Sequence, residues 1–213
     1  MSSTILKRLS IATVSAVAIA FTTASAASAA SFDFSVSDGQ DKSFPLIQGD
    51  LELTATGKTR NGNIRDVFQG SDGFGVTRGE GERNEIDGNA LDKKETLNLR
   101  FNKLVKLISA TFSRVDTNDD FKLFVDGTEL VAAAIPGGNA TDTGSGTFDF
   151  SSYNATGTVL GFTVGDDNNN EYFLKAVEVQ EVPEPTTILG SLLVSGFGAM
   201  LYRKRKNQSD IKA

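Results

Sequence analysis

Two oxygen-rich segments are the residues best suited to chemistry in this chain: Asp116-Thr117-Asn118-Asp119-Asp120 and Asp166-Asp167-Asn168-Asn169-Asn170-Glu171. A hard cation such as Ca2+ takes about six to eight oxygen ligands, and carboxylates and amides at alternating loop positions supply them. Asp116, Asn118 and Asp120 are therefore candidate ligands of a structural calcium, with Glu85 and Asp87 as a further contribution. Neither segment is an EF-hand. Counting from Asp116, the place of that loop's glycine is taken by Phe121 and the place of its last glutamate by Gly127; counting from Asp166, the same places hold Glu171 and Val177. Asp and Asn also make turns by bonding their own backbone, so a pure turn role stands beside the metal reading.

Most other chemistry is excluded by composition. The chain has no His and no Cys, which removes Ser-His-Asp and Cys-His catalysis, imidazole-ligated zinc and disulfide staples. Gly57-Lys58-Thr59 looks like the end of a phosphate-binding loop, but the glycine required before it is Glu52 and the context is a strand. Paired carboxylates could hydrolyse glycans, yet no spacing among the 25 Asp and Glu between Ser31 and Glu181 selects a pair. Trp is absent, and only Tyr153 and Tyr172 follow residue 30 before the tail, a thin aromatic platform for sugar rings. The expectation is a non-enzymatic protein.

The elements that must position these residues are strands. Phe32, Phe34 and Val36 alternate with polar residues, as do Leu51, Leu53 and Ala55, and Leu97, Leu99 and Phe101. Leu104 to Val115 places apolar side chains on both faces, which predicts a central strand covered on each side. Phe121, Leu123 and Val125 run into Asp126-Gly127, a hairpin signal, and Glu129 to Ile135 returns. Thr147 to Phe150, Thr158 to Val164 and Glu171 to Val179 complete a set of eight to ten strands, with Phe148, Phe150, Phe162, Phe173, Val177 and Val179 in the core. The glycines at 70, 73, 75, 79, 81 and 88 read as a solvated loop. The predicted fold is all-β, an antiparallel β-sandwich of jelly-roll type over residues 31–181.

Both ends of the chain are basic and of different character. Lys7-Arg8, an apolar run from Leu9 to Phe21 and Ala27-Ser28-Ala29 have the layout of a signal peptide over residues 1–30, cut near Ala30, with Ala24-Ser25-Ala26 as a second acceptable site. At the other end, Val182-Pro183-Glu184-Pro185 is a stiff connector. It precedes 17 uncharged residues, Thr186 to Tyr202. A helix of that length spans about 26 Å, the short end of a membrane crossing. Arg203-Lys204-Arg205-Lys206 then holds the C-terminus on the cytoplasmic side. Between these ends, Ser31 to Glu181 carries 14 Lys and Arg against 25 Asp and Glu, a formal charge of −11. Such a surface repels nucleic acid and anionic membrane and suits divalent cations.

The proline box, apolar stretch and basic cluster over residues 182–213 resemble the PEP-CTERM sorting signal of exported bacterial proteins. That resemblance implies signal peptidase and an exosortase-type membrane protease as processing partners. It also implies transient anchoring in the inner membrane, then release to the cell surface or extracellular matrix, where exopolysaccharide is the natural associate. Gly73-Phe74-Gly75-Val76, Asn84-Glu85-Ile86-Asp87, Glu95-Thr96-Leu97 and Phe112 through Asp126-Gly127 look like the β domain of the same exported proteins, whose activity is mostly undefined. The alternatives for this domain are a carbohydrate-binding sandwich and a carboxylate-based glycan hydrolase.

Overall fold

The computed structural model describes residues 28–36, 38–79, 83–88, 94–165 and 170–183. The expected signal peptide up to Ala27, the expected sorting residues from Glu184 onward, including Pro185, the apolar run and the cluster Arg203 to Lys206, and residues Asp166 to Asn169 lie outside them.

Among the described residues thirteen strands form, and every pairing is antiparallel. In chain order they are β1 (Ala29–Asp33), β2 (Gly39–Asp41), β3 (Ser43–Gln48), β4 (Leu51–Thr59), β5 (Ile64–Gly70), β6 (Gly73–Thr77), β7 (Ile86–Asp87), β8 (Glu95–Val115), β9 (Asp120–Val125), β10 (Thr128–Ala134), β11 (Gly144–Asp149), β12 (Thr156–Val164) and β13 (Glu171–Glu181). The all-β expectation holds for the described residues. Five strands, β2, β3, β5, β6 and β7, carry too little alternation to be read from sequence. β3 contains Pro45 and pairs only with β4, so the missing N–H falls on an edge strand where it is tolerated.

β8 organises the molecule. Its first part lies between β4 and β12, with Leu97 opposite Gly57 and Phe162. Its second part lies between β13 and β11, with Phe112 opposite Leu174 and Gly146. A strand of 21 residues would run about 70 Å if straight, so it must bend, and bulges bend it. Ile108 is the extra residue between the pairs Leu107↔Val179 and Ser109↔Glu178. Arg114 is extra between Ser113↔Ser145 and Val115↔Gly144, and its φ is 56°.

The expectation of a separate two-faced strand over Leu104 to Val115 is corrected here. The strand is continuous with Leu97 to Phe101, and burial runs Val105, Leu107, Ala110, Phe112 and Val115 because the two bulges shift the phase. Leu104 itself is 37% exposed. Val36 also departs from expectation, lying beyond β1 at 70% exposure.

The core lies between the two pairing sets of β8. Phe112 meets Phe121 at 5.1 Å and Phe162 at 6.2 Å, while Phe32 meets Phe101 at 6.0 Å and Phe44 meets Phe74 at 5.5 Å. Each of these pairs joins a strand from the β4/β12 side to one from the β13/β11 side or its β6 extension. The Asp126-Gly127 hairpin forms as expected, with φ of 47° and 86°, the left-handed pair that a type I′ turn requires.

The segment Gly70 to Gly88 is not a solvated loop in its described part. All five residues of β6 are buried, and Glu85 to Gly88 are buried as well. The glycines serve close approach here: a Cβ on Gly73 would strike the carbonyl of Leu174, and one on Gly75 the carbonyl of Asn84. The backbone of 84–87 therefore crosses directly over β6 before pairing with β13 as β7.

Candidate functional site

β4, β8, β12, β9 and β10 lie side by side, and the side chains opposite the core face form cross-strand rows. Lys58, Thr96, Thr163 and Lys122 are successive partners in one row. Asn98, Gly161 and Phe124 follow in the next, and Arg100 and Val159 in the third. These rows line a groove of about 760 Å3. Its floor is lowest at Gly161, where an added Cβ would sit 3.2 Å from Asn98 Oδ1 and 3.5 Å from Phe124 Cβ.

The ends of the groove are fixed by turns. At one, Thr59 N donates to Asn63 O, Gly62 adopts a φ of 82°, and Lys94 Nζ donates to Gly165 O at 2.5 Å. At the other, Asp126 Oδ1 accepts from Thr158 N at 3.1 Å and Val159 N at 2.9 Å, tying the β9–β10 hairpin to β12.

The groove is cationic on an acidic domain. Among the described residues its walls carry Lys58, Arg60, Lys94, Arg100 and Lys122 against only Asp126 and Glu129. Glu129 pairs with Lys122 at 3.6 Å, and Asp126 is committed to backbone. Lys58, Arg60 and Arg100 are exposed and have no ion-pair partner among the described residues. Sequence reading missed these residues because they come from separate strands and meet only through register. Lys58 drew notice solely inside Gly57-Lys58-Thr59, which the structure places at the end of β4 with no helix following.

The calcium candidates lie in the turn between β8 and β9 and at the first residue of β9. Asp116 Oδ1 accepts Asn118 N at 2.8 Å, and the Asn118 amide, oriented to donate, reaches the two Asp116 oxygens at 2.7 and 3.0 Å. Asn118 thus presents a donor to Asp116 rather than an oxygen beside it. Asp120 is the first residue of β9, and its carbonyl accepts Gly165 N. Among the described residues, no three acidic side chains are grouped to hold a metal.

The residue that ties this turn to the rest of the fold is one that the alternating pattern skipped. Asp119 is buried; its Oδ2 accepts Asp116 N at 2.7 Å and its Oδ1 accepts Glu171 N at 3.1 Å, so one carboxyl joins the turn to the start of β13. Burial pushes its pKa up to about 7, against the lowering effect of the Asp116 N–H. Asp119→Ala should destabilise the fold by about 2–3 kcal/mol, since two backbone donors lose their acceptor. A urea midpoint lowered accordingly, with Asp119→Asn intermediate, is the expected result.

Glu85 forms a second buried acidic centre. Its carboxyl is 3% exposed; Oε1 lies 3.8 Å from Arg114 Nε, and Oε2 has no hydrogen-bond partner among the described residues. Arg114 also approaches Asp72 at 3.6 Å. Burial is the main reason the Glu85 pKa rises to about 7, with Asp142 raising it further and Arg83 and Arg114 opposing. The neighbouring Asp142 carboxyl is raised too, chiefly by burial. Asp87, the other candidate ligand, is buried in β7 opposite Glu171.

The two ends of the described chain meet at one edge. Ala29 and Ala30 are strand residues opposite Gln180 and Val179, and Glu181 N donates to Ser28 O. Val182 N donates to Leu104 O at 2.9 Å, and Pro183 is exposed. Cleavage at Ala29 or Ala30 would remove the first pairs of β1, whereas cleavage after Ala26 would leave β1 whole.

Compared with family models, with curated proteins and with solved structures, the chain gave no match.

Proposed function

We propose that the chain is an exported, non-enzymatic protein of the cell surface or extracellular matrix, whose β domain holds polysaccharide in the groove across β4, β8, β12, β9 and β10. The single observation that carries this reading is the groove itself. It is open, floored by a glycine, lined by Thr, Asn, Lys and Arg side chains that hydrogen-bond to hydroxyls, and provided with one aromatic ring, Phe124.

The domain is a β-sandwich in this proposal. Supporting that reading are the aromatic pairs that bridge the two pairing sets of β8, Phe112 to Phe121 and Phe162 above all. The route of export rests on the sequence of both ends: a signal peptide cut by signal peptidase, and the Val182-Pro183-Glu184-Pro185 box, membrane run and Arg203 to Lys206 cluster read by an exosortase-type protease. Pairing of β1 with the end of β13 supports it, because Ser28 and Glu181, close in sequence to the two handles, lie together and line no part of the groove.

Binding is favoured over hydrolysis by where the carboxyls are. A glycan hydrolase needs one acid held protonated beside its substrate and a second within about 5–10 Å. The three carboxyls with raised pKa, Glu85, Asp119 and Asp142, do not line the groove, and the groove acids Asp126 and Glu129 are engaged by backbone and by Lys122.

The test is a binding and degradation assay of the full-length chain in detergent against a panel of neutral and acidic polysaccharides. Retention on at least one polymer without shortening of it is expected. Shortening of any polymer overturns the non-enzymatic reading, and retention on none overturns polysaccharide binding. Mass spectrometry of the surface-exposed form should show loss of the residues after Pro185, and an intact basic tail there would overturn the sorting reading.

A further inference from the structure

The charge of the groove specifies its ligand more narrowly than polysaccharide in general. Lys58 and Lys122 stand at the two ends of one cross-strand row, three strand spacings or roughly 14 Å apart. Arg100 stands on β8 four residues from Thr96, about 13 Å along the strand from that row. Between these cations the floor is neutral: Asn98, Gly161, Thr163 and the Phe124 ring. A domain whose formal charge is −11 thus keeps Lys58 and Arg100 exposed beside one neutral trough, with the Lys122–Glu129 pair at its far end.

Neutral sugars gain nothing from such an arrangement. Chance scatter would distribute 14 cations among 25 acids over the whole surface, rather than collect Lys58, Arg60, Lys94, Arg100 and Lys122 around one concavity. We infer that the groove binds an anionic polysaccharide, laying its neutral ring edges on the trough while carboxylate or sulfate groups reach Lys58 and Arg100. This rests on the polysaccharide reading above and narrows it.

Nucleic acid fits the same cations less well. A duplex presents one charge per about 1.7 Å of its axis. Cations roughly 14 Å apart would neutralise few of these while the acidic surface around them repels the rest. A charged glycan can space its anions by whole sugar units and bring hydroxyls for Thr96, Asn98 and Thr163 between them.

The experiment uses the full-length chain in detergent with four probes at 50 and 500 mM NaCl: polygalacturonate, dextran sulfate, neutral dextran and a single-stranded oligodeoxynucleotide. Comparison is with Lys58→Glu/Arg100→Glu and with Gly161→Val, which fills the floor without changing charge. Every variant keeps the basic C-terminal cluster, so any binding by that tail is common to all. Thermal melting checks that the exposed substitutions leave the fold unchanged.

The expected result is binding of at least one acidic polysaccharide, weakened about tenfold or more by salt and again by either variant, with dextran much weaker. Polygalacturonate against dextran sulfate separates carboxylate from sulfate recognition. Equal binding of dextran, insensitive to the charge reversal, overturns the anionic ligand while leaving polysaccharide binding in place. Absence of binding to all three glycans overturns both readings. Tighter binding of the oligonucleotide than of either acidic glycan overturns the inference in favour of nucleic acid, and acidic-glycan binding unaffected by both variants removes it from the groove.

Discussion

Gly75→Ala should cost about 3 kcal/mol or more and lower the urea midpoint further than any exposed-surface change, because the single added carbon has no place to go. Its Cβ would overlap the carbonyl oxygen of Asn84 and stand 3.0 Å from the ring of Phe173. Overpacking usually costs about 1–3 kcal/mol because flexible side chains absorb part of it. Here the obstacle is backbone. That backbone is tied down on both sides: Val76 N donates to Glu85 O, Tyr172 and Glu171 pair with Ile86 and Asp87, and Gly88 N donates to Asn170 O. Moving it away would strip β7 from β13 and expose the buried Glu85.

Gly62→Ala provides the contrast. Nothing lies within 4 Å of its added Cβ, but its φ of 82° is a left-handed conformation, so the cost is the ordinary one of about 1 kcal/mol. If the two variants melt alike, the close approach of the 84–87 backbone to β6 is wrong.

The same glycine shows what sequence can and cannot say here. Gly73-x-Gly75 among six glycines between positions 70 and 88 has the composition of a loop, and composition records flexibility more readily than crowding. Which of the two a glycine serves depends on what crosses above it, and residue 84 is set there by pairing with β13, almost a hundred residues on. Local alternation, by contrast, was enough to place β4, β9 and the first half of β8, since each buries one face and reads directly as period 2. It misled at Leu104 to Val115, where two bulges mimic burial on both faces.

The groove was illegible for a related reason. Lys58, Arg100 and Lys122 are dispersed along the chain, and a net charge of −11 averages away the patch that register assembles. At the β8–β9 turn the residue types were legible but their roles were not. Alternation selected Asp116, Asn118 and Asp120, whereas the carboxyl that bonds across the fold is Asp119, which any odd-position count omits.

Stability should fall as pH rises from 5 to 8, the reverse of what paired surface carboxylates produce. Glu85 moves from an ordinary value of 4.5 to about 7, and Asp119 from 3.8 to about 7. Burial is the leading cause for both. The charges facing Glu85 are Asp142, Asp87, Arg83 and Arg114; those facing Asp119 are Asp116, Asp142 and Asp120. A raised carboxyl pKa means that the folded state holds a proton which the unfolded state has already released. Its stabilising contribution is complete below the unfolded value and is lost as pH climbs through about 7.

Each pKa unit corresponds to about 1.4 kcal/mol, so the two groups together withdraw a few kcal/mol across this window, or on the order of 10 °C in melting temperature. Below about pH 4 the trend turns over, because Asp33, Asp50 and Asp149, all lowered by hydrogen bonds, then take up protons at the folded state's expense. The maximum should therefore lie near pH 4.

Glu85→Gln isolates one of the two contributors, keeping the shape while removing the titration. The variant should match the parent near pH 4, where Glu85 is protonated, and exceed it at pH 8, where the parent buries a charge opposed only in part by Arg83 and Arg114. Melting curves of both at five pH values decide it. Parallel curves with a constant offset would mean that Glu85 stays ionised throughout, and that Arg114, placed at its bulge with a left-handed φ of 56°, compensates the buried charge in full.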